Sequence, residues 1–175
     1  MIQYVIVPGL GNSGSQHWQS LWEEMLSPVR RVIQGDWDRP DGDKWVQGLE
    51  ETVSGLDLSQ TILIGHSLGC ITIVHWAAKY HPIVKGAMLV APADIAGTAQ
   101  NFPGTGFTPI PLQKLPFPSL LVASDNDPWL SVEKSELFAR SWGSTLKRIG
   151  EAGHINGDAG YGKWPQGLDL LKKLE

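Results

Sequence analysis

The chain has 175 residues, 42% hydrophobic and 18% charged, which is enough for one domain with a buried core and argues against global disorder. A formal net charge of -4, with no basic run longer than Lys172-Lys173, leaves nucleic-acid binding without electrostatic support. The single cysteine, Cys70, excludes an internal disulfide and fits a reducing compartment; Met1 to Val7 lacks the charged flank of a signal peptide and no apolar stretch reaches membrane-spanning length, so a cytoplasmic protein without membrane attachment is expected.

Short β-branched runs alternate with longer amphipathic stretches along the chain. Strands are predicted at Tyr4-Val5-Ile6-Val7, Arg31-Val32-Ile33, Thr61 to Ile64, Ala87-Met88-Leu89-Val90, Leu120-Leu121-Val122-Ala123 and Thr145 to Ile149. Helices are predicted at Gln16 to Leu26, Trp45 to Leu56, Leu68 to Lys79, Val132 to Trp142 and Trp164 to Leu174. The first two carry one apolar stripe each, at Trp18, Leu21, Trp22 and Met25 and at Trp45, Leu49, Val53 and Leu56. The third is apolar nearly all round, as expected of a helix lying against the centre of a sheet. This alternation predicts an α/β fold in which about six mostly parallel strands carry helices on both faces, residues 1–175 forming a single domain.

Ala93 to Pro118 breaks the pattern. Pro103, Pro109, Pro111, Pro116 and Pro118, with Gly97, Gly104 and Gly106, preclude a long helix there, and a loop of this length inside a domain is usually functional. An irregular flap beside a binding pocket is expected, with a disordered insertion as the alternative. Of the eight tryptophans, Trp18, Trp22, Trp45, Trp76 and Trp142 fall on predicted core faces. Trp37 and Trp129 lie in loops at strand ends and are the two candidates for touching a substrate.

Gly65-His66-Ser67-Leu68-Gly69 stands between a predicted strand and a predicted helix, which is the setting of a nucleophile elbow. Such a turn forces the serine into a strained backbone conformation and aims the free N–H groups of the next helix at whatever the serine attacks. The motif is short enough to arise by chance, and its bland reading is a turn whose serine caps the helix. A catalytic serine also needs a base, and the base needs a carboxylate to hold its tautomer. On this fold they follow later strands in the order acid, then histidine. Leu120 to Ala123 is followed by Ser124-Asp125-Asn126-Asp127-Pro128, and Thr145 to Ile149 by Gly150-Glu151-Ala152-Gly153-His154. Among the histidines, His17, His66, His75 and His81 all precede the later strands, which leaves His154 as the base. Asp125 and Asp127 both stand in the acid's loop. Pro128 fixes the turn after Asp127 and places it better for folding back toward His154, with Asp125 as the alternative.

The oxyanion of an acyl transfer wants two backbone donors. Leu68, directly after the serine, supplies one. Leu10, in the glycine loop Pro8-Gly9-Leu10-Gly11-Asn12 after the first strand, is the candidate for the other. The same loop matches a dinucleotide fingerprint at Gly9, Gly11 and Gly14, with an acid at Asp36, so a dinucleotide binder stays an outside alternative. No histidine pair has metal-ligand spacing, and neither a metal nor another cofactor is expected.

Together, Val7-Pro8-Gly9, Gly11-Asn12-Ser13-Gly14, His17-Trp18, Gln34-Gly35-Asp36-Trp37, Gly65 to Cys70, Ala123 to Pro128 and Gly153-His154-Ile155-Asn156 resemble the small serine hydrolases of the retinoblastoma-binding protein 9 and YdeN family. The resemblance spans nearly the whole chain. It implies a minimal α/β-hydrolase with no helical cap domain and a triad at Ser67, Asp127 and His154, which supports Asp127 over Asp125. The L-x-C-x-E peptide associated with the animal namesake does not carry over, because Leu68-Gly69-Cys70-Ile71-Thr72 lacks its glutamate.

The expected activity is hydrolysis of a small ester, thioester or amide, with a small-molecule acyl substrate as the partner and nothing in the sequence to indicate a protein partner. A binding or scaffolding protein that keeps the triad with little turnover, and an acyltransferase, are the alternatives.

Overall fold

Alternation of side chains along parallel strands decides how this sheet is covered. In the computed structural model, which describes residues 1–97 and 102–175, six strands lie in the order β2-β1-β3-β4-β5-β6, all parallel. They are β1 (Gln3–Val7), β2 (Val29–Arg31), β3 (Thr61–His66), β4 (Gly86–Val90), β5 (Ser119–Ala123) and β6 (Thr145–Arg148). Val5, Val7, Leu63, Ala87, Leu89, Leu121 and Ala123 point to one face. Tyr4, Ile6, Ile62, Ile64, Met88, Val90, Leu120 and Val122 point to the other.

Helices α2 (Gly42–Val53), α3 (Leu68–Tyr80) and α4 (Val132–Trp142) cover the first face. Helices α1 (Trp18–Met25) and α5 (Pro165–Leu171) cover the second. The minimal, uncapped α/β-hydrolase architecture expected from the sequence is the one found, with no helical cap among the described residues.

The five tryptophans assigned to the core are at most 1% exposed. Each indole N–H finds an acceptor, so burial leaves no orphan donor. Trp18 donates to the Ile155 carbonyl (2.8 Å), Trp22 to Lys163 (2.9 Å), Trp45 to Asp36 (3.1 Å) and Trp142 to Pro111 (2.8 Å), while Trp76 donates to the Glu50 carboxylate (2.6 Å). Four of these bonds tie a helix to a loop, so the tryptophans fix the connections as well as filling the core.

Capping moves several boundaries away from the hydrophobic pattern. His17 caps α1, its Nδ1 accepting from the Gln19 N–H at 3.1 Å, so that helix starts at Trp18. Asp41 caps α2 and starts it ahead of Trp45. Trp164 takes a left-handed conformation (φ 42°) and Pro165 opens α5. The second strand lies earlier than Arg31-Val32-Ile33, at Val29–Arg31, because an edge strand is fixed by its one neighbour: Val29 pairs with Tyr4 and Arg31 with Ile6. Ile33, which hydrophobicity placed in the strand, is 69% exposed.

The proline-rich segment is irregular where described and is packed onto the helices. Phe107, Leu115 and Phe117 are buried in the core shared with α2 and α3. The carbonyl of Phe107 accepts from His75 Nε2 at 2.9 Å, and Thr105 bridges Asp41 at the start of α2. That packing rules out a disordered insertion for residues 102–118. Positions 98–101 of the expected flap lie outside the described residues.

Candidate active site

Strand β3 ends at His66, and α3 begins two residues later with Ser67 between them at φ 53°, ψ -120°. A non-glycine residue there is strained, and the surroundings hold it: the Ser67 N–H donates to the Val90 carbonyl at 3.0 Å. Its hydroxyl makes no capping bond to α3, which removes the helix-cap reading. The flanking glycines serve close packing. A Cβ on Gly69 would lie 2.1 Å from the Val7 carbonyl oxygen, and one on Gly65 would lie 2.8 Å from Ile73. Only glycine lets the first turn of α3 sit on the end of β1.

Ser67 Oγ lies 2.8 Å from His154 Nε2. His154 Nδ1 donates to both oxygens of Asp127, at 2.9 and 3.0 Å. The Asp127 side chain is fully buried, and its Oδ1 also accepts the Trp129 N–H at 2.8 Å. Three residues from the ends of β3, β5 and β6 are thus in one hydrogen-bonded line. Asp125 takes no part in it: its carboxylate pairs with Arg148 at 2.7 Å on the surface.

Four consecutive residues around His154 are held by side chains whose role gave no sign in the sequence. Ala152 N–H donates to Ser124 Oγ (2.8 Å) and Gly153 N–H to Asn126 Oδ1 (2.7 Å). The His154 carbonyl accepts from His66 Nε2 (2.9 Å), and the Ile155 carbonyl accepts from Trp18. These partners are loop, elbow and helix residues far away in the chain, and nothing local marks them.

A cavity of about 250 Å³ opens over Ser67. One wall is apolar, from Leu68, Ala93, Ile95, Phe102 and Trp129. The other carries Asn12, His17, His66 and Asn156. Trp129 therefore stands on the cavity as the sequence suggested, half-exposed. Trp37 does not; its ring packs on Trp45 at 5.6 Å, away from the lining.

Leu10 and Leu68 both border the cavity. A Cβ on Gly9 would lie 3.0 Å from both the His66 carbonyl oxygen and Ser67 Cβ, so the β1 loop rests directly on the elbow. Neither the Leu10 nor the Leu68 N–H donates to a hydrogen-bond acceptor among the described residues.

Two imidazoles beside His154 are held in the neutral form. Burial, with Arg31 and His154 nearby, pushes His17 down to about 4. Burial, then His154 and His17, hold His66 well below the ordinary range. Both rings are therefore neutral neighbours of His154. Cys70, fully buried behind the elbow and bonded to the Val90 carbonyl, has its thiol pushed well up by burial and offers no competing thiolate. Among the described residues no group of three or more His, Cys, Asp or Glu side chains is placed to hold a metal, and no helix is long and apolar enough to cross a membrane.

The profile of the serine hydrolase family matches residues 4–173, almost the full chain. The chain belongs to the serine hydrolase family. A YdeN-like hydrolase from Pectobacterium atrosepticum is 36% identical to this serine hydrolase, with a TM-score of 0.89 over 99% of this chain and 90% of that one. The ydeN gene product from B. subtilis is 20% identical, with a TM-score of 0.78 over 99% and 98% of the two chains. Est1E from Butyrivibrio proteoclasticus, whose structure carries ferulic acid, shares the fold at 17% identity and a TM-score of 0.70 over 99% and 86%. No curated protein matches the chain. As a YdeN-like serine hydrolase of the α/β-hydrolase superfamily, the protein is an enzyme of the hydrolase class, and the dinucleotide-binding alternative is set aside.

Proposed function

We propose that the enzyme cleaves a small, uncharged ester, thioester or amide through a triad of Ser67, His154 and Asp127. The observation that carries this reading is the unbroken hydrogen-bonded line of those three side chains, at 2.8 and 2.9 Å. Ser67 Oγ attacks the substrate carbonyl while His154 Nε2 takes its proton. Asp127 keeps the hydrogen of His154 on Nδ1 and stabilises the imidazolium. The amides of Leu10 and Leu68 receive the developing oxyanion. His154 then gives its proton to the leaving group, leaving an acyl-enzyme. Water, deprotonated by His154, attacks the acyl carbon and Ser67 is released with its proton restored. His17 and His66 stay neutral throughout, so neither ring opposes the imidazolium.

The cavity limits the acyl group. At about 250 Å³ the cavity lies below the roughly 300–1,000 Å³ of pockets for drug-sized ligands, which supports a compact acyl group. Among the described residues no Lys, Arg, Asp or Glu lines the cavity, which favours a neutral group over a carboxylate-bearing one. We take residues 1–175 as one domain. The single free cysteine supports a cytoplasmic setting.

Fluorophosphonate labelling and a series of activated esters test this. Wild type labels and Ser67→Ala does not; acetyl, butanoyl and benzoyl esters turn over faster than succinyl esters. Folded wild type that fails to label overturns the nucleophile. A faster rate with succinyl overturns the substrate class, and product formed only when an alcohol or amine is added points to acyl transfer instead.

A further inference from the structure

His66 touches the catalytic line without belonging to it. It closes β3, directly before Ser67, and its ring is buried at the polar wall of the cavity. Nε2 lies 2.9 Å from the carbonyl oxygen of His154, 88 residues away in the chain. A carbonyl only accepts, so Nε2 carries the hydrogen and donates it. The ring is kept in that neutral form by burial and by the neighbouring imidazoles.

The backbone at His154 needs such an anchor. Ile155, directly after it, takes a left-handed conformation (φ 48°) that a non-glycine residue keeps only where its surroundings hold it, and Gly153 before it turns the same way (φ 55°). Ser124 and Asn126 hold the approach to His154 from the β5 side, and Trp18 holds the exit from α1. Of the four anchors, His66 alone adjoins the nucleophile in the chain. Its bond therefore ties the base's main chain to the serine's own strand, independently of the Ser67–His154 hydrogen bond.

We infer that His66 is a positioning residue, whose N–H to the His154 carbonyl sets the base at bonding distance from Ser67 before substrate arrives. The inference rests on His154 acting as the base. The ring itself transfers no proton and makes no bond to the reacting atoms. Asp127 fixes the imidazole from Nδ1 and His66 fixes the main chain that carries it, so two constraints determine where Nε2 stands.

Replacing His66 by Gln, Asn and Leu tests it. A glutamine amide nitrogen reaches the place of Nε2, an asparagine amide stops near Nδ1, and leucine fills space without a donor. With one ester substrate, His66→Gln keeps kcat close to wild type. His66→Asn and His66→Leu lose kcat by roughly ten- to a hundredfold with KM little changed, as for a displacement of about 1 Å. Ser67 labelling by a fluorophosphonate slows in parallel.

Equal rates for the folded Gln and Leu variants, both high or both low, overturn the inference, as does a Gln variant that does not fold. Should the Leu variant not fold, the Gln-to-Asn difference decides alone. His154→Ala runs beside them. If it retains activity, the triad reading fails; if it is inactive while His66→Leu works normally, only the role of His66 fails.

Discussion

Asp125 and Arg148 form an ion pair of 2.7 Å on the surface, with side chains 33% and 42% exposed, while Asp127 two residues on is buried against His154. The two aspartates of one loop therefore have different partners. Asp125→Asn leaves kcat near wild type and changes stability by less than about 1 kcal/mol, as for other exposed pairs. Asp127→Asn lowers kcat on the order of 10⁴-fold, because an amide at Nδ1 favours the wrong tautomer. Steady-state kinetics of both variants decide it, and similar losses in the two would reject the assignment.

His17 and His66 make stability depend on acid. The folded-state value of His17 lies below its ordinary 6.5, at about 4. Between those values the unfolded chain binds a proton that the folded chain refuses. Stability from His17 is thus complete above about 6.5 and is lost as pH falls toward 4, by about 3 kcal/mol. His66, held lower still by burial, extends the loss to more acid pH. Denaturant melts at pH 7, 5.5 and 4.5 measure the slope. His17→Asn, which keeps a helix-capping oxygen but does not titrate, flattens it; an unchanged slope would count against the buried neutral ring.

Two glycines differ in what a methyl group would meet. At Gly69 the new Cβ collides with the carbonyl oxygens of Val7 and Pro8, at 2.1 and 2.7 Å, and backbone cannot move aside cheaply. Gly69→Ala costs about 3 kcal/mol or more despite alanine's better helix propensity. Gly14 has nothing within 4 Å of its Cβ, and Gly14→Ala shifts stability by about 0.5 kcal/mol or less. Urea melts of the pair provide the comparison, and equal midpoints would contradict the close approach of α3 to β1.

Phe102 forms part of the apolar wall and packs on Phe107. Phe102→Ala opens that wall and moves the preferred acyl group to a longer chain. The ratio of kcat/KM for an octanoyl over a butanoyl ester rises by about tenfold or more, the range of a few methylenes in an apolar pocket. A ratio that does not move places the acyl group elsewhere.

The fold was legible, and the residues proposed as the triad could be picked out, because each rests on a pattern local to a strand end. Five of the six strands are followed within three residues by a Gly, Pro or Asp, and Ser67, Asp127 and His154 each come after one of them. The second strand was misplaced since pairing to one neighbour, not hydrophobicity, sets an edge. Trp37 was misjudged because a loop aromatic at a strand end gives no sign of whether it faces a cavity or another ring. His66, Ser124, Asn126 and Trp18 could not be seen as supports for His154 at all. Their partners are backbone groups, which carry no residue identity to search for.

The strict alternation along β3 gives the molecule one end where length is fixed and one where it is free. A single residue inserted into β3 would exchange Ile62 and Ile64 with Leu63, turning each core's side chains toward the other's helices and rotating Ser67 off its line. The turns before the strands carry no such constraint: Gly55 is exposed at φ 77° with open space around it, and Ile83 is 73% exposed. A reporter or affinity segment spliced there leaves the chemistry at the far edge of the sheet undisturbed.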